Sequence, residues 1–108
     1  MGECIRTEKE DPILQYLQPT IPQLTPQLCI ESCSYYTFAG LREGDKCFCG
    51  NTIPSYSDVV GDSECSLKCS GDTKQMCGSR RKMNVYSTSM FALILKGLLF
   101  CQAKAKPS

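Results

Sequence analysis

Two short, mostly apolar runs separated by a polar turn predict a β-hairpin in the middle of the chain. Residues 37–41 and 46–50 are two runs of aliphatic, aromatic and cysteine side chains, and residues 43–45 between them have the composition of a turn. Residues two apart in a strand share a face, so Cys47 and Cys49 lie on the same side of this hairpin.

A short helix is predicted just before the hairpin, over residues 26–35. Thr25 is suited to the N-cap and Pro26 to the first helical position. Cys29 and Cys33 are four residues apart and therefore neighbours on one helix face. That pair can be bridged to the two cysteines on the second hairpin strand, and this geometry leaves open which cysteine joins which.

A second short helix is predicted to begin at Asp62 or Ser63 and to end at Gly71. It would carry Cys65 and Cys69, again four residues apart. The rest of the chain predicts little regular structure. Four prolines keep residues 5–27 extended, residues 55–61 and 72–82 are expected to be loops, and residues 83–87 form a last short strand.

Cysteine content changes this picture most. Eight of the nine cysteines lie in the first 77 residues, and the ninth, Cys101, stands apart. Cysteine this dense in a short chain is typical of a disulfide framework, which persists in oxidising compartments. We therefore expect an extracellular protein, although no apolar leader precedes Cys4. Zinc sites are disfavoured, since there is no histidine and no knuckle-type cysteine pair.

Charge and composition argue against two function classes. Residues 1–89 hold nine basic and eleven acidic side chains, a net charge of −2, so nucleic-acid binding is not expected. The short cluster Arg80-Arg81-Lys82 is interpreted as a solvated loop. Without histidine the chain has no Ser-His or Cys-His nucleophile pair, so we expect no catalysis and no cofactor.

The last nineteen residues differ from the rest. Residues 90–101 are apolar apart from Lys96 and Gly97, and three lysines with no acid give residues 90–108 a charge of +3. The apolar run is far shorter than the roughly 20 residues that a membrane span needs. We expect a domain over 1–89 and a tail over 90–108 outside its fold. A membrane anchor at the interface is the less favoured alternative.

Several stretches resemble the WSC domain, a cysteine-rich extracellular module. The resemblance covers roughly residues 3–87 and includes all eight clustered cysteines. The matching pieces are residues 28–33 (LCIESC), 38–51 (FAGLREGDKCFCGN), 65–71 (CSLKCSG), 77–78 (CG) and 85–86 (VY).

The resemblance has three implications. It implies a small disulfide-rich α+β fold, with short helices held to a small antiparallel sheet by four disulfides. It implies the pairing Cys4–Cys65, Cys29–Cys47, Cys33–Cys49 and Cys69–Cys77, which leaves Cys101 outside the frame. It also implies a carbohydrate-binding module that is usually one part of a larger protein.

Candidate glycan contacts are aromatic rings with polar neighbours, because a flat ring stacks on the apolar face of a sugar. The candidates in this sequence are Tyr35, Tyr36, Tyr56, Arg42 and Asn51. Phe38, Phe48 and Tyr86 are instead interpreted as core residues. The alternative function is a protein-interaction or spacer ectodomain, which needs a stable scaffold and no exposed aromatic cluster.

Overall fold

A computed structural model describes residues 2–7, 13–54 and 57–89 of the chain. Within these ranges, no helix is both long and apolar enough to span a membrane. The predicted tail, Cys101 and Tyr56 lie outside the described residues. The elements in chain order are β1 Glu3–Arg6, β2 Tyr16–Leu17, α1 Pro26–Ser32, β3 Phe38–Arg42, β4 Lys46–Gly50, β5 Asp58–Val60, a 3₁₀ turn Asp62–Glu64, β6 Lys68–Cys69, β7 Asp72–Met76 and β8 Lys82–Ser87.

Six of the strands form one antiparallel sheet in the order β2-β4-β3-β8-β1-β5, and β6 and β7 form a separate two-stranded sheet. The predicted hairpin is confirmed as β3 and β4, with Phe38 opposite Gly50 and Arg42 opposite Lys46. Its turn places Glu43 and Gly44 at positive φ, a conformation that glycine adopts without strain.

The six-stranded sheet buries side chains on both faces. Helix α1 covers one face, where Ile30 packs with Ala39 and Leu41 of β3 and with the half-cystines. On the other face, Leu14 packs with Phe48, Met83 and other apolar side chains. Of the predicted core aromatics, Phe48 is buried, while Phe38 and Tyr86 are partly buried at the edges of the two clusters.

Helix α1 begins as predicted. Thr25 is the N-cap, and its side-chain oxygen accepts a hydrogen bond from the backbone N–H of Leu28 at 3.1 Å. The helix ends at Ser32, three residues earlier than expected, and Cys33 to Tyr35 continue as a turn. The early end leaves Tyr35 on a turn at the surface.

The described residues contain four disulfides, and they are the pairs that the family resemblance implies. Two of them join α1 to β4, through Cys29–Cys47 and Cys33–Cys49. A third ties β1 to the segment after the 3₁₀ turn, through Cys4–Cys65. The fourth, Cys69–Cys77, closes a short loop around β7. The predicted fold class, a small disulfide-rich α+β domain, is confirmed.

The predicted second helix is wrong. A 3₁₀ turn at Asp62–Glu64 is followed by the two-residue strand β6. The backbone of Leu67 pairs instead with the segment after β7: its N–H donates to Gly78 and its carbonyl accepts from Cys77. The two cysteines are tied to different parts of the chain, Cys65 to β1 and Cys69 to Cys77. The backbone hydrogen bonds of Leu67 between them go to residues 77 and 78, so they are not available for a helical turn.

Three segments expected to lack regular structure contain strands. The segment 5–27, which was expected to be extended, contains the end of β1 and all of β2. The loops expected at 55–61 and 72–82 contain β5 and β7, respectively. All four strands lie at or next to an edge of a sheet. Strands β1, β2 and β5 form because a strand distant in sequence supplies their backbone hydrogen bonds, a condition that local composition does not reveal, whereas β7 pairs with the neighbouring β6.

Candidate functional site

Two tyrosine rings lie against each other at one edge of the six-stranded sheet. The ring centroids of Tyr16 and Tyr36 are 5.2 Å apart, with the ring planes tilted by 35°. Strand β2 places Tyr16 opposite Cys49, on the sheet face that α1 covers. Tyr36 follows the turn after α1 and packs partly on the core, while Tyr16 is 49% exposed. The pair therefore presents an aromatic surface with a fixed backbone beneath it.

A small cavity of about 100 Å³ adjoins this ring pair. Tyr16 lines this cavity together with three polar residues, Gln15, Asn51 and Thr52. Its complete lining is Ile13, Gln15, Tyr16, Gly50, Asn51 and Thr52. An aromatic wall beside amide and hydroxyl groups is the combination that holds a sugar, through stacking and hydrogen bonds to its hydroxyls.

Asn51 has a structural role besides its place in this cavity. Its side-chain carbonyl oxygen accepts hydrogen bonds from the backbone N–H of Thr37 at 3.0 Å and from the Thr37 hydroxyl at 3.3 Å. These contacts fix the amide at the end of the β3–β4 hairpin. The amide NH₂ makes no hydrogen bond to another described residue, so it is a donor that a ligand in the cavity can use.

The other predicted glycan contacts do not all lie near the tyrosine pair. Tyr35 lies next to Tyr36 in sequence and is 97% exposed, which makes it the most exposed large apolar side chain in the described residues. The structure does not bring Arg42 to this edge. Arg42 lies at the turn end of the hairpin, and at about 3.4 Å per strand residue it is four strand positions from the end that carries Asn51.

Arg42 is also engaged within the fold. Its guanidinium carbon lies 5.0 Å from the centroid of the Phe48 ring, and its Nε is 3.2 Å from a carboxylate oxygen of Glu43. The Nε–H does not point along that contact well enough to form a hydrogen bond. We conclude that Arg42 covers Phe48 on the sheet face opposite α1.

Sequence reasoning missed Tyr16. The residue lies between prolines in a segment expected to be an extended connection, and nothing local marks its ring as special. Its importance comes from the pairing of β2 with β4, which joins residues more than thirty positions apart. A two-residue strand leaves no alternating pattern that would have indicated it.

Two side chains have shifted pKa values: Tyr86, which packs against the core, and Asp72, which begins β7. Burial raises the pKa of the Tyr86 phenol above its ordinary value, and the nearby Asp62 carboxylate adds to the effect. The pKa of Asp72 is lowered, because its carboxylate accepts hydrogen bonds from the backbone N–H of Lys74 and the side chain of Gln75. Neither residue lies at the tyrosine pair.

One cluster of metal-ligating residue types occurs in the described chain. The sulfur atoms of Cys29, Cys33 and Cys47 lie within 4.8 Å of one another. All three are consumed by the two disulfides between α1 and β4. Cysteine binds a metal as the thiolate, and none of these sulfur atoms is one, so this cluster does not have the chemistry of a metal site.

Comparison with known proteins agrees with the disulfide frame. The family model of the WSC domain matches residues 2–79. The chain is similar to Xylosyltransferase oxt of Drosophila melanogaster, 36% identical over 90 residues, which are 81% of this chain and 10% of that protein.

Two further relatives show how widely the module occurs. Human Kremen protein 1 is 34% identical over 89 residues, which cover 79% of this chain and 19% of that protein. Cell wall integrity and stress response component 3 of Saccharomyces cerevisiae is 38% identical over 60 residues, 54% of this chain and 11% of that protein. The chain thus spans between a tenth and a fifth of the length of these relatives.

Proposed function

Because the chain belongs to the WSC domain family, we propose that it is a non-catalytic extracellular module that binds a polysaccharide. The observation that carries the proposal is the Tyr16–Tyr36 ring pair beside a cavity that Asn51 helps to line. The rings offer a stacking surface, and the amide and hydroxyl groups next to them offer hydrogen bonds to sugar hydroxyls.

An extracellular location is supported by the four disulfides, since such bonds persist in oxidising compartments. A similar protein is named for cell wall integrity, which fits a module that meets extracellular polysaccharide. The similarity to a xylosyltransferase covers a tenth of that enzyme, so it supports a shared module and not a shared transferase activity.

The site is shallow, and this limits the expected affinity. Stacking on one sugar ring buries little area, so a single module should bind near the millimolar range, about −4 kcal/mol. Useful retention on a wall or matrix would then need several modules in one assembly.

The test is a pull-down of oxidised protein on insoluble neutral polysaccharides such as chitin and β-glucan. Replacing Tyr16 or Tyr35 with Ala should lower retention about twofold to tenfold, the value of one aromatic stacking contact. Tyr56→Ala tests the remaining candidate. Tyr16→Phe keeps the ring and should retain binding.

Val59→Ala is the matched control, because Val59 is 61% exposed on β5, at the opposite edge of the sheet. It should leave retention unchanged. If no polysaccharide is retained at millimolar site concentration, or if the tyrosine variants match the control, the protein-interaction function is the better account of this fold.

A further inference from the structure

A broad groove lies at the turn end of the β3–β4 hairpin, away from the tyrosine pair. Its volume is about 1010 Å³, and it opens widely to solvent. The groove is formed where the hairpin turn, the segment after Cys65 and the loop before β8 meet. Its lining is Glu43, Glu64, Ser66, Leu67, Ser79, Arg80, Arg81 and Lys82.

The backbone of this groove is fixed by hydrogen bonds to three different parts of the chain. The carbonyl of Ser79 accepts from Glu43 at 3.2 Å, and its N–H donates to the carbonyl of Lys82 at 2.9 Å. The carbonyl of Arg81 accepts from the N–H of Thr7 at 2.7 Å. The two arginines thus stand at the tip of a braced turn, and less ordering is needed when a ligand binds.

Within the described parts of the chain, the acids in the groove already have cationic partners, whereas the two arginines have no acidic one. Glu64 lies 3.5 Å from the amino group of Lys82. Glu43 contacts cations on its other side, with Arg42 at 3.2 Å and Lys46 at 3.4 Å. Among the described residues, no carboxylate lies within 4 Å of the guanidinium of Arg80 or Arg81, and both residues are exposed.

We propose that this groove is a second binding site, which takes an anionic polysaccharide bearing sulfate or carboxylate groups. A guanidinium binds such groups through paired hydrogen bonds. Leu67, which is 43% exposed, provides an apolar surface for a sugar ring, and the hydroxyls of Ser66 and Ser79 are beside it. The proposal goes beyond neutral polysaccharide binding at the tyrosine pair and does not depend on it.

The lining also distinguishes this ligand from another polyanion. Single-stranded nucleic acids are held by aromatic side chains on which bases stack. The groove lining contains no aromatic residue. A saccharide does not need an aromatic surface. An aliphatic surface and hydroxyl groups suffice for its ring, and cations suffice for its charged substituents.

The experiment measures binding of the oxidised full chain to heparin, a sulfated polysaccharide that also carries carboxylates. Arg80→Ala/Arg81→Ala should weaken binding about tenfold or more and reduce the salt dependence by about two charges, by analogy with counterion release from other polyanions. Both side chains are exposed, so the fold should persist. Heparin stripped of its sulfates distinguishes the two anions, since binding that survives identifies carboxylate as sufficient.

Arg6→Ala/Lys74→Ala is the matched control, because it removes two exposed cations outside the groove lining. It should lower affinity by less than threefold. An equal loss in both double variants would overturn the proposal, as would equal binding of duplex DNA at the same ionic strength, since either result would indicate attraction by net charge alone. Retention on neutral polysaccharide should be unchanged in Arg80→Ala/Arg81→Ala, so the two sites succeed or fail separately.

Discussion

The sulfur atoms of Cys33 and Cys47 lie 3.8 Å apart although the two residues belong to different disulfides. Helix α1 presents its two cysteines to the two on β4, so both bridges cross the same buried layer. A thiolate freed in one bridge therefore has a disulfide of the other bridge beside it, which is the arrangement for thiol–disulfide exchange.

Removing one cysteine of this layer should therefore give mixed bridges. Cys29→Ser frees Cys47, and a fraction of the molecules should contain Cys33–Cys47 with Cys49 free. Peptide mapping without reduction measures that fraction. Cys69→Ser is the control, because its partner Cys77 belongs to a separate bridge, and one set of three native bridges is expected. A single set of bridges in Cys29→Ser would contradict the prediction.

Local pattern was sufficient for the parts of the fold that close over short distances. The β3–β4 hairpin and the Thr25 cap were predictable because a turn and an N-cap depend on adjacent residues. Strands β1 and β5 were not, because they bond to each other, and β1 also bonds to β8, across large separations in sequence. The same reason hid Tyr16 from the candidate site, whereas exposed Tyr35 could be predicted from its place at the end of the expected helix.

The four disulfides should not contribute equally to stability. Cys4–Cys65 joins residues 61 apart, and Cys69–Cys77 joins residues 8 apart. In the chain-entropy treatment, these loops correspond to about 4 and about 2.5 kcal/mol. Denaturant unfolding of Cys4→Ala/Cys65→Ala and of Cys69→Ala/Cys77→Ala measures both losses. The longer bridge should be the more costly to remove, and full reduction should abolish cooperative unfolding. A sharp thermal transition after full reduction would mean that the two hydrophobic clusters suffice alone.

Gly78 should not tolerate a side chain. Its φ is +78°, and a Cβ there would lie 2.7 Å from both the Cα of Arg42 and the carbonyl oxygen of Lys82. Gly78→Ala should cost about 2–4 kcal/mol of unfolding free energy, from backbone strain and steric overlap together.

Gly61 provides the opposite case for that experiment. It has φ −66°, and the nearest atom to a Cβ there would be the Ser63 Oγ at 3.9 Å, an ordinary contact, so Ala fits without strain. Gly61→Ala should stabilise the protein by about 0.4–1 kcal/mol, because it restricts the unfolded chain. Denaturant midpoints of the two variants should therefore shift in opposite directions, and a loss of similar size in both would contradict the assignment of strain to Gly78.

Asp72 should contribute to the fall in the unfolding free energy at acidic pH. Its pKa is lowered by hydrogen bonds from the Lys74 N–H and from Gln75, whose side chain also bonds Gln27 of α1. A lowered pKa means that the folded state favours the charged carboxylate. The stabilisation is therefore complete above the ordinary pKa of 3.8 and is lost as the pH falls below it.

Asp72→Asn should accordingly be less stable than the parent at neutral pH and should approach it in acid. Unfolding free energies at a series of pH values from neutral down to about 2 measure this convergence. Asp45→Asn is the control, since that carboxylate lies on the hairpin turn in an exposed ion pair with Lys46. Parallel curves for Asp72→Asn and the parent over this range would show that Asp72 does not carry the effect.

Residues 90–108 are expected to lie outside the fold. The last strand, β8, ends at Ser87, and the backbone N–H of Thr88 still bonds the carbonyl of Thr37. Truncation after Ser89 keeps these contacts and all four disulfides, so it should leave the melting temperature nearly unchanged. Because residues 90–101 are mostly apolar, it should also raise solubility.

Truncation after Arg81 is the contrasting variant, since it removes β8 from between β3 and β1 and should prevent folding. Calorimetry measures the melting temperatures of the parent and the two truncated proteins. A large fall in melting temperature on removing residues 90–108 alone would mean that apolar residues of the tail pack on the domain, namely Phe91, Leu93, Leu95 and Leu99.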